Sequence, residues 1–212
     1  MHRLAGLLAF GIAFGYMEAS VVIYLRELLY PRGFVFPLAL PTGRVLAVEL
    51  GREFATLVML AGAAVATGRT AWGRFGVFAF LFGVWDLVYY LVLWIVLDWP
   101  ESPGTWDVLF LLPGIWAGPV LSAVLVAVSL VVAGGYLLRI EEGKRRFRPG
   151  AGVWFPAGLS LGLLLWAFLA NHSVVRAGGV PEDFPWGIFT AGFVLGWVAL
   201  GWGVVQSRRA SV

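Results

Sequence analysis

The stretch Leu4-AGLLAFGIAFGYMEASVVIYLRELL-Tyr30 decides the fold. A bilayer core takes about 20 predominantly apolar residues per spanning helix, and this run carries only three charged side chains, Glu18, Arg26 and Glu27. It extends well past the apolar core of a signal peptide and shows no small-x-small cleavage site before a soluble domain. A retained transmembrane helix is expected. Further apolar stretches follow at 45–67, 75–97, 108–138, 153–172 and 186–205. The expected architecture is an all-α integral membrane protein, one domain over residues 1–212 built as a bundle of six transmembrane helices.

Composition points the same way. The 212 residues are 60% hydrophobic and 13% charged, with a mean hydropathy of +0.88, whereas soluble chains are roughly 25% charged. A soluble globule of this size could not hide so much apolar surface. Disorder, a collagen-like fibre and nucleic-acid binding are excluded with it. The absence of cysteine removes disulfides, thiolate metal sites and a Cys nucleophile. There is no internal repeat of useful length to support an inverted-repeat transporter.

The breaks between spans carry turn chemistry: Pro31-Arg32-Gly33, then 98–104 and 178–185. Residues 31–42 include Phe34, Val35, Phe36, Leu38 and Leu40, too apolar for a free loop, and are expected to dip into the outer interface and cap a pocket. The long stretch 108–138 contains Pro113 and Pro119. It is expected to be a tilted or kinked helix, or one that begins with a short interfacial segment. Carbonyls freed there either line a cavity or simply mark a packing kink. Gly11-x-x-x-Gly15 fits a close helix contact. Trp72, Trp94, Trp99, Trp106, Trp154 and Trp186 fall near helix ends, as an interfacial belt requires.

Orientation follows from counting. Six helices put both termini on one side. That side holds Arg3, Arg69, Arg74, Arg139, Lys144, Arg145, Arg146, Arg148, Arg208 and Arg209, ten of the fifteen basic residues. The opposite loops hold Arg32, Arg44 and Arg176, and are acidic through Asp98, Glu101, Asp107, Glu182 and Asp183. Cytoplasmic termini in a bacterial or archaeal plasma membrane are expected. Residues 139–148 read as the clearly solvated segment. Their basic end, 144–148, could hold anionic lipid headgroups, although orientation alone accounts for it.

Charges inside spanning helices cost about 2.5–3.5 kcal/mol each at the bilayer centre on insertion scales, so they point to function. Glu18, Arg26 and Glu27 lie in the first span, Glu49, Arg52 and Glu53 in the second, and Asp86 in the third. At 1.5 Å per residue, Glu49 to Glu53 sit roughly 6–12 Å below the outer boundary. All seven charges fall at or above the midplane. Glu49, Arg52 and Glu53 share a helix face, as do Asp86, Tyr89 and Tyr90, whereas Glu18 and Glu27 point in opposite directions. The expected site is an outward-facing acidic pocket between helices one, two and three, lined by Glu18, Arg26, Glu49, Arg52, Glu53, Asp86, Tyr89 and Tyr90. A purely structural account would pair Arg52 with Glu49 or with a carboxylate on another helix, and Arg26 with Glu18 or a neighbour. Five carboxylates against two guanidiniums leave three negative charges for protons, water or a bound cation.

Glu49, Glu53, Asp86 and His172 form an oxygen-rich candidate set for a divalent cation, with a solvated helix end as the simpler reading of His172. The only other histidine, His2, lies on the opposite side, which argues against bis-His haem and three-His zinc. The Glu-x-x-His pairing of helical di-iron sites is absent. The leading expectation is binding or transport of a cation or small amine-bearing solute. The alternatives are an intramembrane enzyme working on a lipid, isoprenoid or quinone at the outer leaflet, and an accessory subunit of a larger membrane complex. The lipid bilayer is the certain partner; a homo-oligomer or partner membrane subunits would be needed for transport, because no polar residues line the inner half.

Overall fold

A computed structural model describes residues 2–30, 33–38, 40–143 and 147–209. In chain order it contains α1 (His2–Leu29), α2 (Gly43–Thr67), α3 (Ala71–Leu97), β1 (Trp106–Phe110), β2 (Trp116–Pro119), α4 (Val120–Glu142), α5 (Trp154–Leu169), the short α6 (His172–Arg176) and α7 (Trp186–Arg209). Five segments are long and apolar enough to cross a membrane: α1, α3, α4, the run Ala151–Arg176 and α7. The chain is a polytopic helical membrane protein. The second expected span is a helix of comparable length, but it stands outside that group of five because Arg44, Glu49, Arg52 and Glu53 dilute its apolar character.

The central element is α3, which packs on α1, α2 and α4. Its closest neighbours approach through glycine. A Cβ on Gly134 of α4 would stand 2.5 Å from the Phe80 nitrogen and 2.6 Å from the Gly76 oxygen, so a side chain there would strike backbone. On α1, a Cβ on Gly11 would meet Val84 Cγ1 at 2.8 Å and one on Gly15 the Trp85 oxygen at 2.7 Å. The small-residue pair thus faces α3, as its spacing implied. In the second half, α5 packs on α7, with the Ser160 hydroxyl donating to the Gly192 carbonyl at 2.6 Å.

The fourth expected span is corrected in its first third. Residues 106–119 form an antiparallel hairpin in place of helix, pairing Trp106 with Pro119, Asp107 with Gly118, Val108 with Ala117 and Phe110 with Trp116. Among the described residues, a single two-stranded hairpin is thus set into an otherwise helical bundle. Pro113-Gly114 supplies a turn, and Pro119 lacks the N–H that a helix interior needs, so α4 begins only after it. Between them lie Trp106, Val108, Phe110 and Trp116, residues that fit a pleated strand.

A second correction concerns 139–148. Glu141, the penultimate residue of α4, is buried rather than solvated. It accepts from Arg3 Nη1 at 2.7 Å, from the backbone N–H groups of Arg69 and Thr70 at 3.0 and 2.8 Å, and from the Thr70 hydroxyl at 2.9 Å. Phe147 is also buried and packs edge-on against Trp72. The remaining basic residues of this stretch, 144–146, lie outside the described residues. Beyond them the Arg148 and Gly150 N–H groups donate to Ser207 and Gln206 near the end of α7. The start of α1 and the end of α7 therefore lie at one end of the bundle.

Gly134→Ala and Gly135→Ala change helix propensity alike, but a Cβ on Gly135 has its nearest neighbour at 3.9 Å. Gly134→Ala is expected to lower stability by about 1–3 kcal/mol through overpacking, while Gly135→Ala leaves it unchanged or raised; thermal unfolding in detergent measures both.

Candidate functional site

The end of the bundle opposite the termini holds a cavity of about 410 Å³. Helices α1 and α2 both lean on α3 while scarcely touching each other, and the space between them forms its polar part. All eight expected site residues line it: Glu18, Arg26, Glu49, Arg52, Glu53, Asp86, Tyr89 and Tyr90. Glu27 does not and is exposed, as its opposite helical phase requires. Phe34, Leu38, Leu40 and Pro41 from the α1–α2 connection also line the cavity, in keeping with a capping role. The cavity continues between α3, α4 and α5 along Phe82, Trp85, Phe110, Val126, Leu164 and Phe168, where the walls are apolar.

Two ion-pair centres organise the polar part. Arg52 is gripped from two helices: its Nη1 pairs with Glu18 on α1, and its Nε and Nη2 donate to Glu49 Oε2, one turn back on α2, at 3.0 and 2.8 Å. The Thr56 hydroxyl donates to the other Glu18 oxygen at 3.3 Å. Both expected partners of Arg52 are thus engaged at once. Arg26 turns instead toward Asp107 on β1, with Nη2 3.6 Å from Oδ1. Its guanidinium carbon lies 4.0 Å from the centre of the Phe34 ring and 3.7 Å from that of Trp99.

Asp107 is the residue that sequence reasoning misplaced. It was expected among the acidic outer loops, yet it is 2% exposed. Its Oδ2 accepts from the Tyr90 hydroxyl at 3.0 Å and its Oδ1 from the Val108 N–H at 2.9 Å. With Glu27 outside and Asp107 inside, the cavity still holds five carboxylates (Glu18, Glu49, Glu53, Asp86, Asp107) against Arg26 and Arg52, a formal balance of −3.

Glu53 has a different task. Its carboxylate accepts from the Leu111 N–H at 2.9 Å and from the Leu112 N–H at 3.2 Å, tying α2 to the hairpin turn. His172 holds the other side of that turn, its Nδ1 accepting from the Ile115 N–H at 2.8 Å. The metal set expected from Glu49, Glu53, Asp86 and His172 does not converge. Among the described residues no three His, Cys, Asp or Glu side chains gather closely enough to hold a metal ion. The stretch 112–119 belongs to a hairpin rather than a broken helix, and of its residues only Trp116 lines the cavity; Pro113 and Pro119 do not.

Asp86 completes the polar part. Among the described residues it has neither a hydrogen-bond nor an ion-pair partner. Tyr89, one turn along α3, lies within electrostatic reach of Asp86, Arg26 and Arg52. The arrangement can therefore offer a carboxylate to a cation beside phenol and guanidinium groups, at the mouth of a hydrocarbon-lined chamber. No protein-family model, curated protein or solved structure matches this chain.

Removing Asp107 leaves Arg26 as a buried charge without a counterion, which costs about 3–5 kcal/mol in comparable sites. Asp107→Ala is expected to lose that much stability in detergent unfolding. The double change Arg26→Met with Asp107→Ala should recover most of it, because the unpaired charge is gone.

Proposed function

We propose that this chain binds an amine-bearing molecule with an apolar body, seating the amine against Asp86 and the body in the chamber between α3, α4 and α5. The observation that carries the reading is the Asp86 carboxylate, without a partner, in a cavity whose other carboxylates are engaged and whose depth is apolar. A hydrated inorganic cation gains nothing from that depth. An amphipathic ligand gains from both ends, since apolar area contributes about 25 cal/mol per Å² removed from water. The cavity ends between α3, α4 and α5 in apolar walls, which favours binding over conduction by a single copy. Catalysis on a lipid, isoprenoid or quinone remains the second reading. The same apolar chamber favours it, with Asp86 and Tyr89 as the groups that would exchange protons.

The cavity is proposed to open toward the extracytoplasmic side, with the termini in the cytoplasm. The support is the excess of Arg and Lys at the termini end.

Decylamine titrated calorimetrically into protein in non-ionic detergent is the direct probe of the ligand reading. Asp86→Asn is expected to weaken binding about tenfold or more, while Asp98→Asn, outside the cavity, leaves it unchanged. Equal affinity in all three proteins would sink the amine site. For topology, the cysteine-free chain accepts single reporters: Ser102→Cys should react with a membrane-impermeant maleimide in intact cells, and Gly143→Cys only after permeabilisation. The reverse pattern would invert the orientation.

A further inference from the structure

We infer that the ligand head carries an anionic oxygen centre, a phosphate or carboxylate, beside its amine, and that Arg26 receives it. This rests on the amphipathic-ligand reading and narrows its ligand to zwitterionic heads. Arg26 is 6% exposed and lines the same cavity as Asp86. Its Nε and Nη1 are buried and have no acceptor. The nearest carboxylate, Asp107, stands 3.6 Å from Nη2, beyond a good hydrogen bond, and is already occupied by Tyr90 and Val108. Arg52 is the contrast within the same cavity, with all three guanidinium nitrogens on Glu18 and Glu49.

A buried guanidinium normally finds acceptors for its N–H groups, and an orphaned one calls for an explanation. Beside it lies a second orphan: Trp99, whose ring covers the guanidinium at 3.7 Å, has a buried Nε1 without an acceptor. Trp99 itself does not line the cavity, whereas Trp85 and Trp116, which do, carry the same kind of buried donor without an acceptor. The planar fork of an arginine matches the paired oxygens of phosphate and carboxylate. The aromatic faces of Phe34 and Trp99 keep water from competing. One cavity therefore presents a carboxylate without a cation and a guanidinium without its full set of acceptors.

The test compares four probes in non-ionic detergent: decylamine, decyl phosphate, decylphosphoethanolamine and inorganic phosphate. Decylphosphoethanolamine is expected to bind about tenfold more tightly than decylamine. Arg26→Gln should abolish that advantage, read as the ratio of decylphosphoethanolamine to decylamine affinity within the same protein, and Arg26→Lys should keep part of it. Equal affinities in the unaltered protein, or an advantage that survives Arg26→Gln, would overturn the inference and leave the amine site standing. If decylamine fails to bind but decyl phosphate binds and loses affinity in Arg26→Gln, the amine reading falls and the anion site remains. If neither binds, both fall. Competition by inorganic phosphate alone would identify a free anion as the source, and its absence a head group. Thermal unfolding checks that each variant is folded; should Arg26→Gln not fold, the Arg26→Lys comparison decides.

Discussion

Backbone that leaves the helix inside an apolar bundle must still find partners for its N–H and C=O groups, and that requirement governs the functional end of this molecule. A helix satisfies its own backbone, but the hairpin at 106–119 does so only along its ladder. Its turn sends the Leu111, Leu112 and Ile115 N–H groups outward, and side chains from two other elements answer them. Glu53 on α2 takes the first two and His172 on α6 takes the third. The hairpin in turn brings Asp107 to Arg26 and carries Phe110 and Trp116 into the chamber wall. Glu53 and His172, expected from the sequence as candidate cation ligands, therefore serve as acceptors for the hairpin backbone.

The charge pattern resolves into levels of commitment. Arg52 is fully engaged between Glu18 and Glu49, a clasp that joins α1 to α2 across a gap their backbones do not close. Arg26 and Asp107 are held but incompletely matched. Asp86 is unmatched. A buried pair stabilises little by itself, because desolvation offsets much of the attraction. Arg52 and Glu53 have partners within the fold, whereas Asp86 has none among the described residues.

Much of this was legible in the sequence. Apolar length alone located α1, α3 and α7 to within a few residues, and helical phase put Glu49 and Arg52 together and turned Glu27 away. The hairpin was not legible: Trp106, Val108, Phe110 and Trp116 are as apolar as any helix, and a short apolar run has no period to separate strand from helix. Placing the start of a helix at 108 then left Asp107 in a loop. Pro113-Gly114 was the available signal, read as a kink. Glu141 escaped for a different reason. Its partners come from α1 and from the α2–α3 turn, far away in the chain, and its basic neighbours made the segment look solvated.

The position of Glu141 also orders events during synthesis. Its four donors belong to segments that leave the ribosome long before it does. Until α4 emerges, Arg3 and the amides at 69 and 70 have no carboxylate to meet. The first three helices can associate through glycine contacts, but their termini end cannot lock. Closure there waits for the last turn of α4, whose entry also delivers the hairpin at the opposite end. One segment thus locks the first three helices at one end and brings the hairpin to the other, leaving the α5 wall of the cavity and the α7 contacts to follow.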